Sequence, residues 1–126
     1  MKTEAVNKPT AIIGASPNPA RYSFLATNML RDYNHPVYPL GIRKGEIDGV
    51  EIITQWPDQI QNLDTITLYI GPQNQPEHYD YLIGLKPKRI VFNPGTENPE
   101  LKKKAEVAGI ETIEACTLVM LRTSQF

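Results

Sequence analysis

The chain has 126 residues, 40% of them hydrophobic, and a formal net charge of −1 at pH 7. That is enough chain for one buried core, and too little positive charge for an overall field that attracts nucleic acid. A single cysteine, Cys116, excludes an internal disulfide and a cysteine-based zinc cluster and fits a reducing cytoplasm. No apolar run approaches the roughly 20 residues of a membrane span, and MKTEAVNKP lacks an apolar signal core. A soluble, intracellular, single-domain protein without nucleic-acid or membrane partners is therefore expected.

After a short polar lead, Thr10 to Gly14 is apolar without alternation, as in a strand covered on both faces, and is expected to be the central strand. Ser16, Pro17, Asn18 and Pro19 supply turn chemistry. A helix follows in which Tyr22, Leu25, Ala26, Met29, Leu30 and Tyr33 recur at helical spacing; it ends near Asn34, before His35-Pro36. Val37 to Leu40 is a second strand, and Gly41-Ile42-Arg43-Lys44-Gly45 is the loop at its end. Val50 to Ile53 reads as a weaker third strand, and Pro57 suits the first position of a short helix.

Thr65 to Ile70 is a buried strand closed by Gly71-Pro72, and a helix starting around Pro76 carries Tyr79, Leu82 and Ile83 on its inner face. Arg89 to Phe92 is the next strand, closed by Asn93-Pro94-Gly95-Thr96. Asn98-Pro99-Glu100 is a helix start, with a cap, a proline in the first turn and an acid at the positive dipole end. Leu101, Ala105 and Ala108 form its stripe, and Gly109 its C-terminal cap. Ile110 to Ile113 is the last strand. Thr117 to about Ser124 is a terminal helix whose apolar run, Leu118 to Leu121, is tucked into the fold or forms the face of a homodimer.

This alternation predicts an α/β fold, a mostly parallel open sheet with helices on both faces. Ligands of such sheets bind outside the carboxyl ends of the strands, which here are Gly14, Gly41, Gly71 and Asn93 to Gly95. Gly14 lets the chain turn sharply, and the helix after it offers unpaired N–H groups, a corner that attracts phosphate. The same residues also suit a plain turn. In the dinucleotide fingerprint G-x-G-x-x-G, Gly14 holds the first position, but Ser16 and Pro19 hold the other two. Where an NAD site wants an acid after the second strand, this chain has Arg43 and Lys44. Those cations, with Arg21, suit a nucleotide bearing an extra ribose phosphate, coenzyme A or NADP, or else form a solvated loop pair. Catalytic groups are sparse: His35 reads as a turn residue, His78 as a surface-helix residue, Cys116 as a small buried cysteine and Glu97 as a cap or a site residue. No metal-ligand spacing is present.

Taken together, IIGASPNPARYS, VYPLGIRKGEIDG, FNPGTENPELKKKAEVAGI and EACTLVML resemble, in order and spacing, the CoA-binding domain family. This is the Rossmann-type, doubly wound module also found as the N-terminal domain of the succinyl-CoA synthetase alpha subunit. By position, the resemblance implies that Gly14, Ala15, Ser16, Arg21 and Tyr22, and then Gly41, Arg43 and Lys44, hold the nucleotide's phosphates. It implies that Gly71 and Pro72 line the adenosine side and that Asn93 and Gly95 flank the ligand's path. Glu114-Ala115-Cys116 departs from the Asp-Arg-Cys of many standalone members. The resemblance implies neither a ligase domain nor a phosphohistidine loop. A non-catalytic protein binding coenzyme A or acyl-CoA is the leading expectation, with an NADP(H)-using enzyme or a dimeric interaction module without ligand as rivals.

Overall fold

In the computed structural model, which describes residues 7–126, the strands are β1 (Thr10–Ile13), β2 (Val37–Leu40), the short β3 (Glu46–Ile47) and β4 (Val50–Glu51), β5 (Thr65–Leu68), β6 (Arg89–Phe92) and β7 (Glu111–Glu114). The helices are α1 (Tyr22–Asp32), α2 (Tyr79–Gly84), α3 (Pro99–Val107) and α4 (Thr117–Arg122), and two 3₁₀ turns, Pro72–Asn74 and Pro76–His78, precede α2. The polar lead, residues 1–6, lies outside the described residues.

Five strands form one parallel sheet in the order β2-β1-β5-β6-β7. β1 is interior as expected, with Thr10 level with both Val37 and Thr65, but β5 rather than β1 is the middle strand. The strand periodicity of two divides the apolar residues between two faces. Ala11, Ile13, Ile66, Leu68, Ile90 and Phe92 face a core that Leu82 of α2 and Leu101 and Ala105 of α3 complete. Ile12 faces the opposite way, into a second core with Leu30 of α1 and Leu121 of α4. Helices therefore cover both faces, and the sheet is Rossmann-like. No helix among the described residues is long and apolar enough to cross a membrane.

The third strand is the main departure from expectation. Val50 and Glu51 turn back on Ile47 and Glu46 as an antiparallel hairpin, and only Ile53 touches the sheet, through one parallel bridge to Leu40. The cause is Asp48-Gly49, whose φ angles of 45° and 89° are those a two-residue hairpin turn demands. α1 steadies this turn: Asn28 Nδ2 donates to Asp48 Oδ2 at 2.7 Å, and Arg31 Nη1 to the Asp48 carbonyl at 3.0 Å. No helix forms at Pro57, because the segment is held by side-chain bonds instead. Trp56 Nε1 donates to the Gly41 carbonyl at 3.0 Å, and the Pro57 carbonyl accepts the Tyr81 hydroxyl at 2.6 Å.

α1 is rotated about its axis relative to its hydrophobic stripe. Its buried residues are Ser23, Ala26, Thr27 and Leu30, whereas Tyr22, Leu25 and Tyr33 are exposed. Small side chains bring the helix close to the sheet, and Thr27 Oγ1 bonds the Ser23 carbonyl at 2.8 Å, so its hydroxyl is buried without loss. α3 begins as expected, with Asn98 Oδ1 accepting the Glu100 and Leu101 N–H groups and Gly109 left-handed at φ 83°; Ala108 is exposed rather than part of the stripe. In α4 Leu118, Met120 and Leu121 are buried and Val119 is exposed, so the run is tucked into the fold.

At the amino edge of the sheet His35 is buried, as its neighbours require. Its Nδ1 accepts the Lys8 backbone N–H at 3.0 Å, and its ring lies 5.0 Å from Phe126. Burial, then the charges of Lys8 and Arg89, hold its pKa below the usual imidazole value, against a weaker opposing pull from Asp64. The unfolded chain therefore takes up this proton first as pH falls. The stability that neutral His35 contributes is complete above about pH 6.5 and is lost as pH drops through the lower folded value. The urea midpoint is expected to fall between pH 7 and pH 5, and less so in His35→Asn, which keeps an acceptor for Lys8. Equal pH slopes in the two proteins would remove His35 as the cause.

Candidate functional site

The carboxyl ends of β1, β2, β5 and β6 open into a cleft of about 610 Å³. Its floor is two loops in direct contact. Gly14 N and Ala15 N both donate to the Leu40 carbonyl at 3.0 Å, which locks the loop after β1 onto the end of β2. A Cβ on Gly41 would stand 2.4 Å from the Ala15 carbonyl oxygen, so only glycine lets the loops meet. Gly14, at φ 99°, faces the other way, and a Cβ there would press on Ile70 and on the Tyr69 backbone. Gly14 thus serves strand packing as much as ligand approach, and a bulky side chain there disturbs the fold itself.

The loop after β1 is held by its own side chains. Ser16 Oγ accepts the Asn18 N–H at 3.1 Å, and Asn18 Oδ1 accepts the Ala20 N–H at 3.0 Å. α1 then starts without a side-chain cap and without an acid in its first turn, and among the described residues the Tyr22 and Ser23 N–H groups have no partner. Arg21, Tyr22 and Ser23 all line the cleft, which places the positive end of the helix dipole there. Arg21 and Arg43 line it too, and among the described residues no Asp or Glu does. Two cationic residues and a positive dipole end are thus gathered at one rim of a chain of net charge −1.

Of the residues singled out from sequence, Gly14, Ala15, Ser16, Arg21 and Tyr22 line the cleft, as do Gly41, Arg43, Gly71 and Gly95. Lys44, Pro72 and Asn93 lie outside its lining. Lys44 is exposed, and Pro72 opens a 3₁₀ turn. Asn93, expected beside the ligand's path, is a buried bracket. Its Nδ2 donates to Thr67 Oγ1 at 2.7 Å and to the Leu68 carbonyl at 2.9 Å, and its Oδ1 accepts the Thr117 N–H at 2.8 Å, joining β5 to the start of α4. Glu97 accepts the Gly95 N–H at 2.9 Å and neither enters the lining nor caps α3. Cys116 is half-buried rather than buried.

Sequence reading missed Trp56, Tyr69 and His78, all of which line the cleft. His78, expected on a surface helix, ends a 3₁₀ turn and packs on Trp56. Tyr69 stood in the strand pattern and Trp56 just before the helix expected to start at Pro57, so neither carried a local signal. Burial pushes the Tyr69 hydroxyl up to about 12, against hydrogen bonds from Thr67 and Thr117, so it keeps its proton at neutral pH. Among the described residues no group of three His, Cys, Asp or Glu could hold a metal.

The profile of the CoA binding domain matches residues 8–122. The chain belongs to the CoA-binding domain family. Among solved structures, an uncharacterized protein known from its crystal structure is 48% identical, with a TM-score of 0.92 over 95% of this chain and 98% of its own. A hypothetical protein from Pyrococcus horikoshii OT3 is 25% identical with a TM-score of 0.82, over 93% of this chain and 83% of its own. A Thermus thermophilus protein, cell-free ID.343, matches at 24% identity and TM-score 0.82 over 95% and 91%, which speaks to the fold alone. No curated protein matches the chain. For this member of the CoA-binding domain family the lining residues fit an anionic nucleotide: the uncapped start of α1 and the basic residues Arg21 and Arg43 line the cleft.

Proposed function

We propose that the protein binds coenzyme A or an acyl-CoA in this cleft, without catalysing its conversion, in the cytoplasm. The observation that carries the reading is that the uncapped start of α1 lines the cleft together with Arg21 and Arg43. Unpaired N–H groups and a dipole end take the diphosphate, and a guanidinium takes a further phosphate bidentately. Family membership supports the ligand class, and the free thiol of Cys116 supports a reducing compartment.

Calorimetric titration with coenzyme A, 3′-dephospho-CoA, NADP and NAD tests this. Coenzyme A is expected to bind best, and loss of the 3′-phosphate to cost about tenfold. Arg43→Ala is expected to weaken coenzyme A by about tenfold and to narrow the gap to the dephospho form, with a smaller change in Lys44→Ala because Lys44 lies outside the lining. A preference for NADP, or silence from all four ligands, would sink the proposal.

A further inference from the structure

One wall of the cleft is aromatic and comes from two separate segments of the chain. The Trp56 ring lies 4.9 Å from the His78 ring at an interplanar angle of 32°, and 5.5 Å from the Tyr81 ring at 47°. Trp56 and His78 line the cleft; Tyr81 does not, and its hydroxyl is spent on the Pro57 carbonyl at 2.6 Å. The indole N–H donates to the Gly41 carbonyl at 3.0 Å, which holds the Trp56 ring in place, and the His78 ring packs on it. Ile42, one residue beyond Gly41, lines the same cleft and is 87% exposed. Aromatic rings fixed at a cleft wall beside an exposed aliphatic side chain offer a flat heteroaromatic base both stacking and apolar cover. Arg43, next in the chain, also lines the cleft, so a base on this wall brings its sugar phosphates towards a cation.

We propose that Trp56 and His78 form the platform on which the ligand's purine base stacks, and that they set the preference for an adenine nucleotide over the pantetheine end alone. The identity of that ligand rests on the function proposed above. Trp56 is the single tryptophan of the chain, so its fluorescence reports the platform directly.

The full chain would be titrated with coenzyme A, adenosine 3′,5′-bisphosphate and 4′-phosphopantetheine, with fluorescence and calorimetry in parallel. Coenzyme A and the bisphosphate are expected to quench Trp56, and phosphopantetheine is not. His78→Ala and Trp56→Leu are expected to weaken both adenine ligands about tenfold or more by calorimetry, while Trp56→Phe, which keeps an aromatic face, stays within about threefold. Should Trp56→Leu not fold, His78→Ala carries the same test. Coenzyme A binding without a fluorescence response to the bisphosphate, or with unchanged affinity in folded His78→Ala, overturns the platform and leaves the ligand reading standing. Quenching by the bisphosphate without coenzyme A binding keeps the platform and overturns the ligand reading. Silence from all three overturns both.

Discussion

Gly41→Val is expected to abolish measurable coenzyme A binding and to lower stability by about 1 to 3 kcal/mol, the usual cost of forcing atoms into a packed site. The first added carbon would stand 2.4 Å from the Ala15 carbonyl oxygen and 3.1 Å from Ile52 Cγ2. Neither side can yield freely. Gly41 is tied through its N–H to the Ile53 carbonyl at 3.1 Å and through its carbonyl to Trp56, while Ala15 is tied to Leu40. The two loops must separate, and the cleft floor goes with them. Gly84→Ala provides the contrast, since nothing lies within 4 Å of the added carbon and the residue ends α2. That change is expected to leave stability equal or slightly higher. Ligand titration and urea melts of the two variants decide it; a Gly41→Val protein that binds like the wild type would mean that the loops do not meet as described.

Gln75→Leu is expected to cost about 3 to 5 kcal/mol, a large part of a typical domain's stability. Gln75 is fully buried between the two 3₁₀ turns, and its side chain has no access to water. Its Nε2 donates to the Ile70 carbonyl at 3.0 Å and the Thr96 carbonyl at 2.9 Å, and its Oε1 accepts from Asn98 Nδ2 at 2.8 Å. Leucine fills much of the volume but strands both carbonyls, and Asn98 keeps only Tyr79 as a side-chain acceptor for its amide. Ile70 and Thr96 both line the cleft, so this one side chain also sets the distance between the loops after β5 and β6. Ligand affinity should fall together with stability. A loss below about 1 kcal/mol in a urea melt would show that water or repacking satisfies those carbonyls.

Four strands of the sheet were legible because each is a short apolar or β-branched run closed by glycine or asparagine, while β7, Glu-Thr-Ile-Glu, is marked chiefly by the Gly109 before it. β2 and β6 stand at their expected positions, and the others lie within two residues of theirs. The start of α3 was legible for a similar reason: Asn98 caps it through its own neighbours, so the signal is local. The hairpin at Asp48-Gly49 was written in the chain as well, but flanking strands of only two residues each leave too little pattern around the dipeptide to mark it. The buried face of α1 was not legible. Hydrophobicity pointed to Tyr22, Leu25 and Tyr33, whereas close packing selected Ser23 and Thr27, whose hydroxyls depend on contacts that hydropathy does not count.

By itself, then, the sequence determined the alternation of strands and helices, the glycine rim at the strand ends, and the cations Arg21 and Arg43 near it. These follow from backbone chemistry acting over a few residues. Only the tertiary structure decided that Asn93 and Gln75 are buried brackets, that Lys44 stands outside the cleft, and that Trp56 and His78 share a wall. Each of those outcomes is set by partners 15 or more residues away in the chain, from Trp56 to Gly41 and from Gln75 to Thr96, or by distances between loops that only the packed sheet fixes.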